Sequence, residues 1–285
     1  MATILLTGGG RGLGRLTAQK LCAAGHEVLL TARDPAAGQR AVTGIMAAHP
    51  QAKVRALSVE LSSLASLKTF CDSLLASGQA LDVLFHVAGV MQLSPQRRVT
   101  VDGFEETLAV NALAPLYLTQ RLEPLLRQRV VFVSSRLHLP GSRGAPGNFD
   151  FDDPQLERGY GPERAYKNSK LAVLWVASVF HRRWRGGPLT SHVVCPGFVP
   201  ETIAVSSRGF QSLLMKYVLP HMPFARSADE ATDSFVFMAT DPGVARQPGL
   251  FWGEQKPIES SPESRDETKA DRFFAWGLRT VGLGG

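Results

Sequence analysis

The sequence predicts a single-domain α/β protein with a doubly wound parallel sheet of about seven strands and helices on both faces. Two observations lead to this prediction. Short apolar runs alternate with helical patterns along most of the 285 residues, as in sheets built from successive crossover connections. The apolar runs are nearly continuous rather than alternating, which is typical of strands covered on both sides. The length suits one large domain over residues 1–285.

Each element has its own signal. Apolar runs predict strands at residues 2–6, 27–31, 54–59, 81–87, 129–134, 190–195 and 249–252. Apolar residues at helical spacing predict helices at residues 16–24, 64–75, 104–122, 166–183, 228–239 and 262–278, and another helix starts at Pro35. Pro115 predicts a kink in the helix at 104–122. Residues 136–165 are rich in Gly, Pro, Asp and Arg and predict a long loop, and loops of such length are usually functional or mobile. Residues 198–226 are irregular apart from one amphipathic stretch at residues 209–219.

The segment Thr7-Gly8-Gly9-Gly10-Arg11-Gly12-Leu13-Gly14 lies between the first strand and the first helix. Gly8 permits a tight turn, Gly12 lets a pyrophosphate approach the backbone, and Gly14 lets the helix pack closely on the strand. The amides at a helix N-terminus favour a phosphate. Because it stands between a strand and a helix, this segment predicts a dinucleotide site in a Rossmann fold.

Composition narrows the class of protein. The longest apolar run, residues 171–180, is shorter than the ~20 residues that cross a bilayer, and no secretory signal is evident, so we expect a cytoplasmic protein without a transmembrane segment. Cys22, Cys71 and Cys195 have no metal or disulfide spacing and are expected to be core residues. The net charge is +6, but the basic runs are short, so no nucleic-acid partner is predicted. The cysteines and histidines lack metal spacing, so no metal is predicted.

Tyr166 and Lys170 are four residues apart and lie on one face of a predicted helix. A phenol has an ordinary pKa of about 10, and a nearby ammonium lowers it by favouring the phenolate. This spacing alone is common in sequences and would usually be an exposed pair. It gains meaning from Asn111 and Ser134-Ser135 before it and from Pro196-Gly197 after it.

Together these residues resemble the short-chain dehydrogenase/reductase family over residues 2 to about 280. The matching motifs occur in the family's order: Thr7-Gly8-x-x-x-Gly12-x-Gly14, Ala88-Gly89, Asn111, Ser135, Tyr166, Lys170 and Pro196-Gly197. Residues 102–105, 165–171 and 260–263 are most similar to the retinol-dehydrogenase-like and protochlorophyllide-reductase-like branch.

The resemblance implies a role for each catalytic residue. Tyr166 is the general acid or base, Lys170 lowers its pKa and binds the nicotinamide ribose, Ser135 stabilises the substrate oxygen, and Asn111 holds a water that links Lys170 to solvent. The implied cofactor-binding residues are Gly8, Gly10, Arg11, Gly12, Leu13, Gly14, Arg33, Glu60, Leu61, Ala88, Gly89, Tyr166, Lys170, Pro196, Gly197, Val199 and Thr202. Residues 136–165 are expected to form a substrate loop, and residues 198–226 a lid.

The sequence departs from the family pattern at three places. His86-Val87-Ala88-Gly89 replaces the usual Asn-Asn-Ala-Gly, whose asparagines brace the central strands. Glu60 replaces the aspartate that contacts adenine, and its longer carboxylate can still accept a hydrogen bond. Glu201 stands where the family has a carboxamide-binding threonine, and Thr202 follows one position later.

Charge predicts the type of nicotinamide cofactor. NAD enzymes place an acidic residue at the end of the second strand, where it would repel a 2′-phosphate. Here that position is Ala32, followed by Arg33, and Arg11 lies in the glycine segment. Two guanidinium groups can bind a phosphate through charge-assisted hydrogen bonds, although both could be ordinary surface arginines. The pattern favours NADP(H).

The sequence therefore predicts an NADP(H)-dependent carbonyl reductase or alcohol dehydrogenase. The apolar segment 198–226, with Leu137, Leu139, Phe149, Phe151 and Leu156 expected near the mouth of the site, indicates a bulky apolar substrate such as a steroid, retinoid or aromatic polyketide. A C=C reductase and a non-catalytic NADP(H)-binding sensor are the alternatives. A homodimer through the apolar Tyr166 helix is a further expectation, unless the long loop covers that face. His138, His181, His192 and His221 are expected to have ordinary polar or surface roles.

Overall fold

The structure is a computed structural model that describes residues 1–139, 148–200, 225–247 and 250–284. Its strands are β1 Thr3–Leu6, β2 Glu27–Ala32, β3 Lys53–Ser58, β4 Leu81–His86, β5 Leu126–Val133, β6 Thr190–Cys195, β7 Phe251–Gly253 and β8 Lys256–Pro257. Its helices are α1 Gly12–Ala23, α2 Pro35–Ala48, α3 Leu64–Ser77, α4 Glu106–Leu108, α5 Ala114–Leu122, α6 Pro162–Arg183, α7 Ala228–Thr240 and α8 Glu267–Thr280. The π-helical segment Ala109–Leu113 joins α4 to α5, and short 3-10 helices span Glu123–Leu125, Arg136–His138, Val244–Arg246 and Glu263–Arg265.

The strands form one sheet in the order β3-β2-β1-β4-β5-β6-β7-β8. β1 pairs in parallel with β2 on one side and with β4 on the other, so the winding direction reverses between β1 and β4. Ligand sites of open parallel sheets lie beyond the carboxyl ends of the strands at such a reversal. The glycine segment leaves β1 at this place.

The predicted fold class is confirmed, with one addition at the edge of the sheet. The short strand β8 pairs antiparallel with β7, so the sheet has eight strands rather than about seven. Glu254 and Gln255 form the two-residue connection, and both have a left-handed φ, of 53° and 63°. Such hairpin turns usually contain glycine or asparagine, so this sequence gave no turn signal.

Several element boundaries differ from the prediction. α6 begins at Pro162 rather than Tyr166, because Pro162 occupies the first turn, where its missing N–H costs nothing. α8 begins at Glu267 rather than at residue 262, since the Asp266 carboxylate accepts a hydrogen bond from the Lys269 amide at 3.0 Å and caps the helix there. The helix predicted at 104–122 contains a π-helical segment directly before Pro115.

The helix α6 packs against both β6 and α8. Trp175 of α6 is fully buried, as expected of a core residue, and belongs to an aromatic cluster with Phe149, Phe151, Phe273 and Trp276. Its indole Nε1 donates a hydrogen bond to the Glu263 carbonyl at 3.0 Å. The chain's own loop and C-terminal helix therefore cover this part of α6, where a homodimer was expected.

Two further expectations concern the core and the membrane. Cys22, Cys71 and Cys195 are buried free thiols, which confirms their prediction as core residues. Within the described ranges, none of the helices combines the length and the apolar character needed to cross a membrane.

Candidate active site

The glycine segment forms a tight turn between β1 and α1. Gly8 has a φ of +75°, and a side chain there would place its Cβ 2.9 Å from the Ala88 Cα. A Cβ on Gly14 would lie 2.2 Å from the Gly8 carbonyl oxygen. These distances leave no room for a side chain, so Gly8 and Gly14 hold the turn and the first turn of α1 together.

Gly12 differs from its neighbours because a Cβ there would meet no atom of the described residues within 4 Å. Its φ is +54°, in the left-handed region that favours glycine. Arg11 is the N-cap of α1, and its side chain makes no capping hydrogen bond. The open space at Gly12 and the first amides of α1 together suit a phosphate group.

Gly9 and Gly10 hold the segment against β2. The Gly9 amide donates to the Thr31 carbonyl at 2.8 Å, and a Cβ on Gly9 would lie 2.4 Å from the Leu30 Cβ. Gly10 is less tightly packed, since its Cβ would lie 3.1 Å from the Ala32 Cβ. Gly9 was not among the predicted cofactor residues. The glycine spacing does not show that Gly9 packs against Leu30, because Leu30 lies on another strand. Leu13 is half-buried and packs on one of the two core clusters.

Arg33 and Glu60 lie together beyond the carboxyl end of β2. The Arg33 Nε is 3.6 Å from a Glu60 carboxylate oxygen, and the Arg33 side chain is 75% exposed. The other Glu60 oxygen accepts hydrogen bonds from the Ser62 amide at 3.0 Å and the Ser62 hydroxyl at 2.8 Å. Glu60 thus orients Arg33, while Leu61 beside it packs on the core.

Asp34 is the acidic residue nearest to Arg33 in the chain, and its carboxylate is the N-cap of α2. Its carboxylate accepts hydrogen bonds from the amides of Ala36 and Ala37, at 2.9 and 3.2 Å, and caps α2. Arg40 donates to the same carboxylate at 3.4 Å. Ala32, at the end of β2, has no charge, so the described residues place no free carboxylate at the ribose position of an NAD enzyme.

The segment after β4 brings Gly89 close to two predicted catalytic residues. A Cβ on Gly89 would lie 3.3 Å from the Asn111 Oδ1 and 3.4 Å from the Lys170 Nζ. The adjacent Ala88 amide donates to the Thr7 hydroxyl at 3.1 Å, which ties this segment to the end of β1. Ala88 and Gly89 therefore connect the glycine turn to the predicted catalytic residues.

Asn111 is buried in the π-helical segment, and its side-chain amide is fully engaged. Oδ1 accepts from the Val90 amide at 2.8 Å, and Nδ2 donates to the Val90 carbonyl and to the Ser169 hydroxyl, both at 2.9 Å. Pro115 is four residues further on and has no N–H to offer the Asn111 carbonyl. Any water on Asn111 would therefore bind at the backbone carbonyl rather than at the side chain.

Ser135, Tyr166 and Lys170 come together at the carboxyl end of β5. The Ser135 hydroxyl forms a hydrogen bond with the Tyr166 phenol. The Lys170 Nζ donates to the Val133 carbonyl at 3.0 Å and lies 5.6 Å from the centre of the Tyr166 ring. The Ser134 hydroxyl donates to the Lys170 carbonyl at 2.8 Å, which fixes α6 against the end of β5.

Burial drives both ionisable groups of the site toward their neutral forms. It raises the pKa of Tyr166 to about 12, although the Ser135 hydrogen bond acts in the opposite direction. It lowers the pKa of Lys170 to about 8. The sequence predicted that Lys170 would lower the Tyr166 pKa, but desolvation raises that pKa in the folded chain. At neutral pH the phenol holds its proton firmly.

The turn after β6 lies beside the start of α7. Gly197 has a φ of +84°, and a Cβ there would lie 2.8 Å from the Arg226 Cδ. The Arg226 amide donates to the Phe198 carbonyl at 2.8 Å. Pro196 is half-buried and Val199 is buried. Thr202 and most of the predicted lid lie outside the described residues.

The predicted position of the apolar loop residues at the mouth of the site is wrong. Phe149 and Phe151 do not lie at the mouth of the site but in the aromatic cluster on α6 and α8, and Leu156 is buried as well. Their short-range sequence context could not reveal a partner helix more than 100 residues away. Of the histidines expected in polar or surface roles, His138 and His192 are buried, each 2% exposed or less.

His86 takes the place of a family asparagine and is buried at the end of β4. Its Nε2 is 2.9 Å from the Thr119 hydroxyl, and its ring stacks on Phe132 with 4.9 Å between the ring centres. Burial lowers the pKa of His86 to about 3, so the ring is neutral. In place of the family's asparagine, His86 thus links β4 to β5 by stacking on Phe132 and to α5 by its contact with Thr119. The described part of the chain holds no group of three or more His, Cys, Asp or Glu suited to a metal ion.

Comparison with known proteins agrees with this geometry. Residues 2–146 match the family model described as short chain dehydrogenase. Mouse polyprenol dehydrogenase is 34% identical over 99% of this chain and 84% of its own length, and human retinol dehydrogenase 14 is 31% identical over 99% and 86%. The crystal structure of an uncharacterized protein from Mycobacterium paratuberculosis superposes with a TM-score of 0.78, at 28% identity over 99% of this chain and 94% of that one. The chain therefore belongs to the short-chain dehydrogenase family, and within it to the retinol-dehydrogenase-like branch, whose members are oxidoreductases.

Proposed function

We propose that this protein is an NADP(H)-dependent oxidoreductase that interconverts a carbonyl group and an alcohol on a bulky apolar substrate. The observation that carries this proposal is the contact between Ser135 and Tyr166, with the Lys170 ammonium 5.6 Å from the phenol ring. These three groups supply a proton donor, a second hydrogen-bond donor and a positive charge at one place.

In the reducing direction, the Tyr166 phenol donates its proton to the carbonyl oxygen of the substrate. The Ser135 hydroxyl donates a hydrogen bond to the same oxygen and stabilises the negative charge that develops there. A bound nicotinamide cofactor supplies the hydride for the carbonyl carbon. In the oxidising direction, the Tyr166 phenolate accepts the alcohol proton instead.

Lys170 stabilises the phenolate that Tyr166 becomes after donating its proton. Its Nζ uses one proton for the Val133 carbonyl and keeps the others for the ribose and for water. The Asn111 carbonyl, which lacks a donor at Pro115, is the acceptor we assign to that water. Through it a proton returns to the buried site from solvent.

The glycine turn would hold the pyrophosphate at Gly12 and at the first amides of α1. Arg33 and Arg11 would hold the 2′-phosphate of NADP(H). The support for this preference is electrostatic: Ala32 is uncharged, and the Asp34 carboxylate is used to cap α2. Glu60 keeps Arg33 at the carboxyl end of β2.

The substrate class rests on two kinds of support. The relatives named for polyprenol and retinol carry the names of large, apolar alcohols. Residues 198–226 of this chain are rich in apolar side chains and carry few charges, so they offer little to a sugar or an anionic acid. Each substrate methylene buried there would contribute ~0.8 kcal/mol, so kcat/KM should rise with apolar size.

The test compares two tyrosine variants with a panel of ketones and NADPH. Tyr166→Phe should lower kcat by a factor of about 10²–10⁴, the range typical of general acid catalysis, with NADPH affinity largely retained. Tyr117→Phe is the matched control, because it removes the hydroxyl of another buried tyrosine, on α5. Near-normal turnover by Tyr166→Phe would overturn the catalytic assignment. NADPH binding without turnover of any ketone or alcohol would favour the sensor, and reduction of conjugated C=C bonds alone would favour the C=C reductase.

A further inference from the structure

His138 is buried behind the catalytic serine and uses both of its ring nitrogens. Nδ1 lies 2.5 Å from the Ser135 carbonyl oxygen, and Nε2 lies 3.3 Å from the Ser261 backbone nitrogen. The ring is 1% exposed and makes an edge contact with Phe251, at 5.2 Å between ring centres. The imidazole therefore bridges two backbone segments that are 126 residues apart.

The two contacts fix which nitrogen carries the proton. The Ser261 N–H can only donate, so Nε2 must be the acceptor. Nδ1 then carries the hydrogen and donates it to the Ser135 carbonyl, which can only accept. Burial lowers the pKa of His138, which keeps the ring in this neutral form.

The far end of the bridge is attached to the helix that carries Tyr166. The Ser261 hydroxyl accepts a hydrogen bond from the Ser264 amide at 3.2 Å, and the Ser264 hydroxyl donates to the Ser261 carbonyl at 2.7 Å. The indole Nε1 of Trp175, on α6, donates a hydrogen bond to the carbonyl of the adjacent residue, Glu263. This chain of bonds runs from Ser135 through the C-terminal segment to α6.

We propose that His138 is a positioning residue for Ser135, which fixes the Ser135 peptide relative to α6 so that the serine hydroxyl meets the Tyr166 phenol. Within the described residues, the one backbone group that donates to the Ser135 hydroxyl is the Leu137 amide, at a long 3.3 Å. The His138 bond acts on the carbonyl of the same residue and sets the direction of its backbone. This inference rests on the proposed function, because it concerns the geometry of that site.

The experiment separates the two ends of the bridge with two amide variants. His138→Asn can place a donor near the Nδ1 position and keep the bond to Ser135. His138→Gln can place an acceptor near the Nε2 position and keep the bond to Ser261. The readouts are kcat, KM for an aryl ketone, NADPH affinity and the melting temperature. His192→Gln, at another buried histidine on β6, is the control for loss of an imidazole.

We expect His138→Gln to lower kcat about tenfold, with KM and NADPH affinity within about threefold of the parent, and His138→Asn to retain most of kcat. In a Ser135→Ala background, followed in single turnovers, His138→Gln should have no further effect, because no hydroxyl remains to be oriented. Parent-like kcat in His138→Gln, an equal loss in both amide variants, or the same fold-loss with and without the Ser135 hydroxyl would overturn the proposal. Each of these outcomes presupposes a Tyr166-dependent reductase, so failure of the proposed function would be visible separately in Tyr166→Phe.

Discussion

Two glycines of the first turn should respond to alanine in opposite ways. In Gly14→Ala the new Cβ would lie 2.2 Å from the Gly8 carbonyl oxygen, a backbone atom that cannot move without opening the turn. We expect a loss of about 3 kcal/mol of unfolding free energy from this overpacking. In Gly12→Ala the Cβ meets nothing within 4 Å in the part of the chain that the structure describes, and the cost there is the left-handed φ of +54°, about 1 kcal/mol. The methyl group that Gly12→Ala introduces would instead fill the space assigned to the pyrophosphate.

The assay measures melting temperature and NADPH affinity for both variants. At about 2–4 °C per kcal/mol, Gly14→Ala should melt about 6–12 °C lower and Gly12→Ala about 2–4 °C lower. NADPH binding to Gly12→Ala should weaken by at least about tenfold, the loss of one charge-assisted hydrogen bond of ~1.5 kcal/mol. Gly78→Ala is the control, with a φ of +63° at the end of α3 and no neighbour within 4 Å among the described residues. Parent-like NADPH affinity in Gly12→Ala, or equal melting temperatures for the Gly12 and Gly14 variants, would refute this reasoning.

Two electrostatic predictions follow from single side chains. Arg33→Ala should weaken NADPH binding about tenfold and leave NADH binding unchanged. The control is Arg55→Ala, which removes an ion pair with Glu27 of the same 3.6 Å length and should change the affinity for neither cofactor. An equal change in both affinities in Arg33→Ala would contradict an NADP(H) site. For Lys170, burial lowers the pKa from about 10.5 in the unfolded chain to about 8, so the unfolded chain binds more protons between these values and the stability of the parent should rise across that pH window. Lys170→Met removes this dependence. At pH 7 the variant should have a higher unfolding free energy than the parent, and this difference should shrink by up to about 3 kcal/mol between pH 7 and pH 10. A constant difference in urea unfolding would show that Lys170 is not desolvated in the folded chain.

The sequence predicted those features whose signals are local. The glycine spacing gave the turn after β1, and the four-residue spacing of Tyr166 and Lys170 placed both on α6. The reversal of the sheet between β1 and β4 then brought Gly89, Asn111 and Lys170 together, as the order of motifs had indicated. Each of these features depends on a few neighbouring residues and on a connection rule that holds for all parallel sheets.

The features that the sequence did not reveal depend on distant partners. The bond from Ser261 to His138 joins residues 123 positions apart, and neither residue has a spacing that signals the other. Phe149 and Phe151 were expected at the substrate mouth because they are apolar residues in a long loop. Their partners on α8 are apparent only once that helix has docked on α6. An apolar residue in a loop can serve a ligand or a core, and composition alone does not distinguish the two.

The pKa of Tyr166 shows how tertiary burial changes the chemistry expected from a motif. The motif suggests a phenol whose proton is loosened by the adjacent ammonium, but the folded chain raises that pKa to about 12. The Lys170 pKa of about 8 means that its ammonium is still mostly charged at pH 7. In the proposed mechanism, the site at neutral pH therefore pairs a fully protonated acid with a charge that stabilises its conjugate base, which is the state required to donate a proton. Oxidation would have to begin from the phenolate, and the Lys170 charge that supports it declines above pH 8. This charge state is set by burial of α6 against β5 rather than by the two side chains alone.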